Sequence, residues 1–243
     1  MENTETEKMP LPSHTPNQND SIWIVIPAYN EATVIGSVIK DIRTAGYHNI
    51  LVVDDGSKDG TGEYARKEDV EVLKHLINRG QGASLRSGFS FIAETYDPDI
   101  IVTFDADGQH QAKDIDALVK PIREDLADIT LGSRFLNSER NIPFLREMIL
   151  RFAILFTNIV SHIRLTDTHN GFRALNRKAY HTIKIFHRGM EHASDIIDEI
   201  SKNNLRYREV PVKVTYSDYS IGKGQRTSNF LKMGVRILLK KIL

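Results

Sequence analysis

The stretch IIVTFDADGQH, Ile100–His110, joins an apolar run to two aspartates and a glutamine at every second position. Short apolar runs without alternation are typical of strands that are buried on both faces of a parallel sheet. Side chains at positions i, i+2 and i+4 of an extended chain project to the same side, so Asp105, Asp107 and Gln109 are expected to converge. The stretch therefore predicts a buried strand that ends in a cluster of oxygen-bearing side chains.

Other apolar runs have the same texture, and helical patterns lie between them. The runs are Ile22–Ile26, Ile50–Val53 and the weaker Asp128–Leu131, and the helical patterns are Ala32–Arg43 and Gln81–Glu94. Strands that alternate with helices predict an α/β sheet with right-handed crossovers. Ligands of such sheets bind at the carboxyl ends of the strands. Acidic or amide side chains follow three of the runs, at Asn30-Glu31, Asp54-Asp55 and Asp105–Asp107, so this edge is the predicted site.

The second half of the chain has a different pattern. Pro143–Ile163 predicts a helix with a wide apolar face, Ala193–Lys202 predicts another helix, and Asn229–Leu243 is amphipathic and basic. Tyr207–Tyr216 alternates like a strand, and Pro211 favours an edge position because proline donates no ladder hydrogen bond. We predict a disordered leader at 1–20, one folded domain at 21–220 and a basic amphipathic helix at 221–243.

The composition narrows the class of protein. The chain has 243 residues, 40% of them hydrophobic, which suits a globular domain with a sizeable core. The formal net charge is zero, so bulk attraction to nucleic acid is not indicated. There is no cysteine, which excludes disulfides and thiolate metal sites. No uncharged apolar run reaches the roughly 18 residues that a membrane-spanning helix needs, so none is predicted.

The carboxylates of Asp105 and Asp107 and the amide oxygen of Gln109 are hard ligands that suit Mg²⁺ or Mn²⁺. The alternative is an Asp-rich turn that caps a helix near Ala112. The position after a buried strand, beside two other acidic strand ends, favours the metal site.

Two further motifs follow the predicted strands. In VVDDGSKDGT, Val52–Thr61, a carboxylate accepts hydrogen bonds from a nucleobase or ribose, or the stretch is a tight turn with Asp59 as a helix N-cap. In NRGQGASLRSG, Asn78–Gly88, the backbone N–H groups suit phosphate, or Gly80 and Gly82 merely permit a turn. Cations that could neutralise a leaving diphosphate are Arg134, Arg173, Lys223 and Arg226. The histidines show no convincing metal-binding spacing, and no GxSxG elbow of a serine hydrolase is present.

These motifs together resemble the family 2 glycosyltransferases, and most of all the branch of dolichyl-phosphate mannose synthases and polyprenyl-phosphate glycosyltransferases. The matching pieces are IPAYNE, VVDDGSKDGT, NRGQGASLRSGF, FDADGQH, LGSRF and THNGFRALNR, in one order between Ile22 and Tyr216. The resemblance implies a GT-A fold, which is one α/β domain with a mostly parallel central sheet flanked by helices and a nucleotide-sugar donor bound over it.

The resemblance also implies roles for individual residues. A metal ion that bridges the diphosphate is expected at Asp105, Asp107 and Gln109, and catalytic roles are expected for Arg134 and Asp195. The nucleoside is expected at Pro27, Tyr29, Glu31 and Asp55, and the full set of expected substrate-binding residues adds Asn30, Gly82, Asp105, Ala106, Arg134, Arg173 and Lys223.

The implied reaction is inverting transfer of a sugar from a UDP-, GDP- or dTDP-sugar with Mg²⁺ or Mn²⁺. A polyprenyl phosphate acceptor is already largely ionised near neutral pH, since its second pKa is about 6, and needs no strong base. If the acceptor is a sugar hydroxyl in a polysaccharide or glycolipid, Asp195 becomes the expected base.

Three departures from the family pattern stand out. The C-terminal Arg…Ser-Lys pattern is replaced by YSIGKGQR, and Glu191 and Asp195 do not form the Glu-Asp pair of hydroxyl-directed relatives. The Gln-x-x-Arg-Trp signature of processive polysaccharide synthases is absent.

Two other classes of enzyme are disfavoured. A nucleotidyltransferase is disfavoured because PAYNE occupies the place of its glycine-rich loop, and a dehalogenase-like phosphatase is disfavoured because the DxD motif lies late in the chain and is followed by Gln109. A non-catalytic nucleotide-sugar-binding subunit is the alternative from another class.

A membrane surface is an expected partner of Pro143–Ile163 and Asn229–Leu243, which carry apolar faces and, in the second, basic residues. The alternative is that both segments pack on the domain or between copies of the chain. A separate membrane-protein partner is compatible with this pattern, and nucleic acid is not expected. The predicted location is the cytoplasm, at the inner face of the membrane.

Overall fold

The computed structural model describes residues 19, 21–136, 148, 154, 158, 163–168 and 170–215. Within these residues the chain forms one seven-stranded sheet with helices on both faces. The strands are β1 Ile22–Ala28, β2 Ile50–Asp54, β3 Glu71–Lys74, β4 Ile100–Thr103, β5 Ile129–Ser133, β6 Arg173–Asn176 and β7 Tyr207–Pro211. The helices are α1 Ile35–Thr44, α2 Thr61–Lys67, α3 Gln81–Thr95, α4 Ile115–Arg123, α5 Arg177–Thr182 and α6 His192–Lys202, and a 3₁₀ turn at Ala112–Asp114 precedes α4.

The sheet is mostly parallel, as expected, and its strand order is β3-β2-β1-β4-β6-β5-β7. Strand β6 is antiparallel to both of its neighbours, and the other adjacent pairs are parallel. The strand order reverses beside β1, which lies between β2 and β4. In open α/β sheets ligands bind at such a switch point, outside the carboxyl ends of the strands.

The two faces of β1 explain why its sequence is apolar throughout. Ile22, Ile24 and Ile26 pack into one core cluster with α1 and α4, whereas Trp23 and Val25 pack into the other with α3 and α6. Both faces of the strand are therefore covered, which removes the need for alternation. Burial of each such isoleucine contributes roughly 1.5–3 kcal/mol to folding.

The predicted strands and helices that lie within the described residues are confirmed with shifted ends. Helix α1 begins at Ile35 instead of Ala32, because residues 30–32 donate backbone hydrogen bonds to side chains of 57–61. The strand predicted over 207–216 ends at Pro211 at the sheet edge, and an isolated bridge between His110 and Val214 follows it.

Two strands, β3 and β6, were not predicted. Each has four residues, and β6 carries a buried arginine that conceals its strand character.

Several predicted segments lie outside the described residues, including the leader apart from residue 19, most of 143–163 and all of 221–243. The proposed domain boundaries therefore stay predictions. Among the described helices, none combines the length and the apolar character that are needed to cross a bilayer.

Candidate functional site

The segments that follow β1, β2 and β4 lie at one edge of the sheet, as the sequence predicts. Ala28 pairs with Asp54 at the ends of β1 and β2, and the backbone N–H of Asp55 donates to the carbonyl of Ala28 at 2.8 Å. On the other side of β1, the N–H of Phe104 donates to the carbonyl of Val25 at 2.9 Å. We call residues 29–31, 54–55 and 105–109 the acidic edge.

Exposure alternates along the stretch after β4. Phe104 and Ala106 are buried in the core, whereas Asp105, Asp107 and Gln109 are half-buried. The two aspartates and the glutamine thus lie on the outer side of an extended segment, as the i, i+2, i+4 spacing predicts. Since the side chain of Ala106 faces the core, its predicted contact with substrate is limited to its backbone.

Asp105 is held from three directions. Its carboxylate accepts hydrogen bonds from Gln81 Nε2 at 2.9 Å and from His110 Nε2 at 3.0 Å, and Gly171 lies directly beside it. Burial by itself would raise the pKa of Asp105, but the hydrogen bond from His110 and the nearby Arg173 guanidinium hold that pKa below its ordinary value. Asp105 is therefore ionised and fixed in orientation.

The carboxyl group of Asp107 has a raised pKa. Burial and the negative charges of Asp105 and Glu31 together raise the pKa of this carboxyl to about 6, against a hydrogen bond from the N–H of Gln109. A site where carboxylates repel each other is one that a cation stabilises. Among the described residues, however, no group of three or more His, Asp or Glu side chains is arranged to hold a metal ion. The predicted ligand set has two carboxylates and one amide, and it stays a prediction.

A methyl group at position 171 is expected to disturb Asp105. A Cβ on Gly171 would lie 2.6 Å from Oδ2 and 2.7 Å from Oδ1 of Asp105, closer than van der Waals contact allows. We expect Gly171→Ala to displace this carboxylate and to lower the affinity for a Mn²⁺–nucleoside diphosphate about tenfold, which corresponds to about 1.4 kcal/mol. Isothermal titration calorimetry measures this affinity. The control is Gly36→Ala on α1, where the added methyl group would meet no atom closer than Glu68 Oε1 at 3.4 Å, an ordinary contact distance. Equal affinity of Gly171→Ala and wild type would contradict the expectation.

Asp55 is committed to the protein interior. Its carboxylate accepts hydrogen bonds from the N–H groups of Arg79 at 2.9 Å and Gly80 at 2.7 Å, and it contacts His75 Nδ1 at 2.7 Å. The side chain is almost fully buried. Asp55 thus fixes the start of the glycine-rich segment, and its contact with a nucleoside stays a prediction.

The glycines before and within α3 have a packing reason. A Cβ on Gly80 would overlap the carbonyl oxygen of Arg188, and one on Gly82 would overlap that of His187. The N–H of Ala83 donates to the Arg188 carbonyl at 3.2 Å. Residues 187–189 therefore lie against the start of this helix. The predicted contact of Gly82 with substrate stays a prediction.

Asp195 has the same kind of surroundings as Asp55. It accepts hydrogen bonds from the N–H groups of Phe186 at 2.8 Å and His187 at 2.7 Å, and its other oxygen contacts His187 Nδ1 at 2.6 Å. Only 6% of the residue is exposed. Asp195 holds the segment before α6 in place, and its predicted role as a catalytic base stays a prediction.

The two predicted arginines lie near a third aspartate. Arg134 contacts Asp167 through Nε at 2.6 Å and Nη2 at 3.4 Å. Arg173 is 2% exposed, its Nη1 has no hydrogen-bond partner among the described residues, and the charges of Asp105 and Asp167 act on it. Burial lowers the pKa of Arg173 to about 10, so it is still a cation at neutral pH.

The segment after β1 is held by hydrogen bonds to residues 57–61. Pro27 pairs with Val53 inside the sheet, and Tyr29 is 43% exposed. Asn30 has a positive φ of 55°, and its side-chain oxygen accepts from the N–H of Lys58 at 3.0 Å. The N–H of Glu31 donates to Thr61 Oγ1 at 2.8 Å. The ring of Tyr29 is therefore presented at the acidic edge by a fixed turn.

Some residues of the site could not be identified from the sequence, and one predicted residue is outside the described part. Lys223, like Arg226, lies beyond residue 215. His75, Gln81, His110, Gly171 and Asp167 contact the predicted residues but were not selected. Gly171 lies inside the matching motif NGFR, which was the available signal, whereas the others act through contacts between distant segments.

With its mostly parallel sheet and an acidic edge at the switch point, the chain has a GT-A-like α/β fold. A comparison with protein families agrees with this class. The chain belongs to the family described as glycosyl transferase family 2, which matches residues 23–184.

Several relatives have named activities, among them the following two. UDP-N-acetylglucosamine–dolichyl-phosphate N-acetylglucosaminyltransferase of Methanococcus voltae is 31% identical over 242 residues, with 91% of this chain and 96% of the relative covered. Undecaprenyl-phosphate mannosyltransferase of Micrococcus luteus is 30% identical over 221 residues, with 86% and 89% covered. Both relatives match nearly over their whole length.

Among solved structures, the fold is similar to glucosyl-3-phosphoglycerate synthase from Mycobacterium tuberculosis, which was crystallised with Mn²⁺, UDP and glucosyl-3-phosphoglycerate. The TM-score is 0.68 at 19% identity, and the match covers 90% of this chain and 79% of that chain. At this identity the likeness concerns the fold.

Proposed function

We propose that this protein transfers a sugar from a nucleotide-diphosphate sugar to a polyprenyl phosphate, with Mg²⁺ or Mn²⁺ held by Asp105, Asp107 and Gln109. The observation that carries the proposal is the exposed side of the stretch after β4, where these three residues project beside two other acidic strand ends. The names of the relatives support the acceptor, since dolichyl and undecaprenyl phosphate are both polyprenyl phosphates although the sugars differ.

The residues at the acidic edge fit a hard divalent cation. Two carboxylates and an amide oxygen leave coordination positions for water and for donor phosphates, as Mg²⁺ sites usually do. The raised pKa of Asp107, which burial and the charges of Asp105 and Glu31 produce, marks negative charge that a cation would offset. When bound, the cation stabilises the charge that develops on the leaving diphosphate.

The surroundings of Asp195 favour a phosphate acceptor over a hydroxyl acceptor. A base must reach the proton that it abstracts, but the Asp195 oxygens are used by the N–H groups of residues 186 and 187 and by the His187 ring. An ionised phosphate oxygen needs no base. It attacks the anomeric carbon, the bond from that carbon to the diphosphate oxygen breaks, and the nucleoside diphosphate departs with the electron pair. In-line displacement inverts the anomeric configuration.

Arg134 and Arg173 supply positive charge for this displacement. Both guanidinium groups flank Asp167, and Arg173 is also close enough to Asp105 for their charges to interact. Buried cations beside a developing negative charge act in a low dielectric, where they are worth more than in water. We assign Arg134 to the phosphates of the donor or the acceptor, and Arg173 to the orientation of Asp105.

A polyprenyl phosphate resides in a membrane, so we place the protein at the inner face of a cytoplasmic membrane. The expected contact segments are 143–163 and 229–243. A UDP-, GDP- or dTDP-sugar is the proposed donor, and a membrane-protein partner is compatible with this placement.

The test uses the full chain, undecaprenyl phosphate in mixed micelles, and a panel of UDP-N-acetylglucosamine, UDP-glucose, GDP-mannose and dTDP-glucose with Mn²⁺ or Mg²⁺. We expect one donor to give a polyprenyl-phosphate sugar by mass spectrometry, and EDTA to stop the reaction. Transfer to an octyl glycoside but not to the lipid phosphate would identify a hydroxyl-directed enzyme instead. Nucleotide binding without any transfer would favour the non-catalytic subunit.

A further inference from the structure

A buried line of side chains runs behind the acidic edge, from α3 through β3 to the end of β2. Ser87 Oγ lies 3.0 Å from His75 Nε2, and His75 Nδ1 lies 2.7 Å from Asp55 Oδ1. His75 is 7% exposed, and its backbone N–H donates to the carbonyl of Asp54 at 2.9 Å. Asp55 belongs to the expected substrate-binding set, whereas His75 and Ser87 have no assigned role.

The hydrogen bonds fix the tautomer of His75. The Asp55 carboxylate only accepts, and it already accepts from the N–H groups of Arg79 and Gly80. The third partner must therefore donate, which places a proton on His75 Nδ1. The Nε2 atom of the neutral ring then accepts from the hydroxyl of Ser87. Every polar atom of the imidazole is used, and the ring has one orientation.

The line acts on the glycine-rich segment. Asp55 holds the N–H groups of residues 79 and 80 at the start of α3, and a residue one position later, Gln81, donates to Asp105 at 2.9 Å. The orientation of the Asp55 carboxylate thus sets the position of a segment that connects the predicted nucleoside residues with the predicted metal ligands. A hydrogen bond to a charged group contributes more than a neutral one, so the link to His75 is a strong constraint.

We propose that His75, held by Ser87, is a positioning residue for the donor nucleotide, and that it acts by fixing the Asp55 carboxylate and through it residues 79–81. The inference rests on the proposed function, in which Asp55 and the glycine-rich segment bind the donor. His75 itself touches neither donor nor acceptor.

Two substitutions separate the ends of the line. In His75→Asn the side-chain amide replaces Nδ1 and keeps the donor to Asp55, whereas in His75→Gln the amide replaces Nε2 and keeps only the contact with Ser87. We expect His75→Gln to raise the donor KM about tenfold with kcat within about threefold of wild type. His75→Asn is expected to stay within about threefold in both. Steady-state kinetics with the donor that the wild type uses gives these values.

Two outcomes would contradict the positioning role of His75. Equal KM values for His75→Asn and His75→Gln, or a lower melting temperature of His75→Gln with an unchanged KM, would show that His75 only packs. Ser87→Ala removes the far end of the line at a half-buried position on α3. We expect it to raise the donor KM about threefold, so the proposal can be decided even if the His75 variants do not fold.

Amide hydrogen exchange separates this proposal from the proposed function. In His75→Gln we expect the protection of the Arg79 and Gly80 amides to fall at least about tenfold while α1 and β1 keep theirs. Unchanged protection at these two amides would overturn the positioning role even if the wild type is an active transferase. Lost protection in a chain that turns over no nucleotide sugar would uphold the link and reject the proposed function.

Discussion

Asp107→Asn is expected to lower kcat/KM for sugar transfer by about 10³-fold or more, which corresponds to about 4 kcal/mol of transition-state stabilisation. The substitution keeps the size of the side chain but removes one of two proposed anionic metal ligands. It should not unfold the protein. Because burial and the charges of Asp105 and Glu31 raise the pKa of Asp107 to about 6, its ionised form weakens folding, and this penalty grows as the pH rises from about 4 to 6. At neutral pH the variant should therefore melt no lower than wild type.

The control is Asp99→Asn, which removes the same charge at the amino end of β4. Asp99 is exposed and pairs with Arg177 at 3.4 Å, far along the strand from the acidic edge. We expect unchanged transfer in this variant. Turnover assays with Mn²⁺, paired with thermal unfolding, measure both properties. Retention of more than about a tenth of wild-type activity in Asp107→Asn would exclude the metal assignment.

Asp128→Ala is expected to cost about 3 kcal/mol of folding free energy and to lower the melting temperature by roughly 6–12 °C for a chain of this size. Asp128 is 1% exposed at the start of β5, and its carboxylate accepts from the N–H of Arg206 at 2.9 Å and from Asn176 Nδ2 at 3.1 Å. Lys178 Nζ and Arg206 Nη2 also contact it, at 3.1 and 3.0 Å. The carboxylate thus ties β5, β6, α5 and the segment before β7 together, and its loss removes four hydrogen-bond contacts between these segments.

The matched control is Asp125→Asn, because Asp125 contacts the same Arg206 at 2.6 Å but is highly exposed, and asparagine tolerates its positive φ. It should lose less than about 1 kcal/mol. Burial alone would raise the pKa of Asp128, but hydrogen bonds from Arg206, Lys178 and Asn176 hold it well below its ordinary value. Such a group stabilises the fold above pH about 4, and the contribution falls as the pH drops further. The difference between wild type and Asp128→Ala should therefore narrow in acid, and a constant difference would contradict this assignment.

The sequence predicted those features that depend on the residue pattern of a single segment. Runs of apolar residues without alternation predicted β1, β2 and β4, because a strand covered on both faces needs no polar side. The spacing of Asp105, Asp107 and Gln109 predicted a common side, because the side-chain period of an extended chain is two. Strand β6 was not predicted, because its four residues include Arg173, and the burial of this arginine depends on carboxylates from other segments.

The roles of Asp55 and Asp195 mark the limit of such prediction. Asp55 was predicted to bind the nucleoside and Asp195 to act in catalysis, yet both accept hydrogen bonds from two successive backbone N–H groups and contact a histidine. The contacts of Asp55 come from residues 20 to 25 positions away, at the end of β3 and the start of α3. The sequence therefore does not distinguish an aspartate that binds a ligand at a strand end from one that holds a loop in place.

The sequence by itself determined the α/β class, the edge of the sheet that carries the site and the family to which the chain belongs, because hydrophobic periodicity and motif order are local properties. The tertiary structure alone decided which carboxylates are still available to a ligand. Availability depends on which donors other segments bring within hydrogen-bonding distance, and those distances are set by how strands and helices pack. For Asp55 and Asp195 the protein supplies these donors itself, whereas burial and the charges of Asp105 and Glu31 raise the pKa of Asp107.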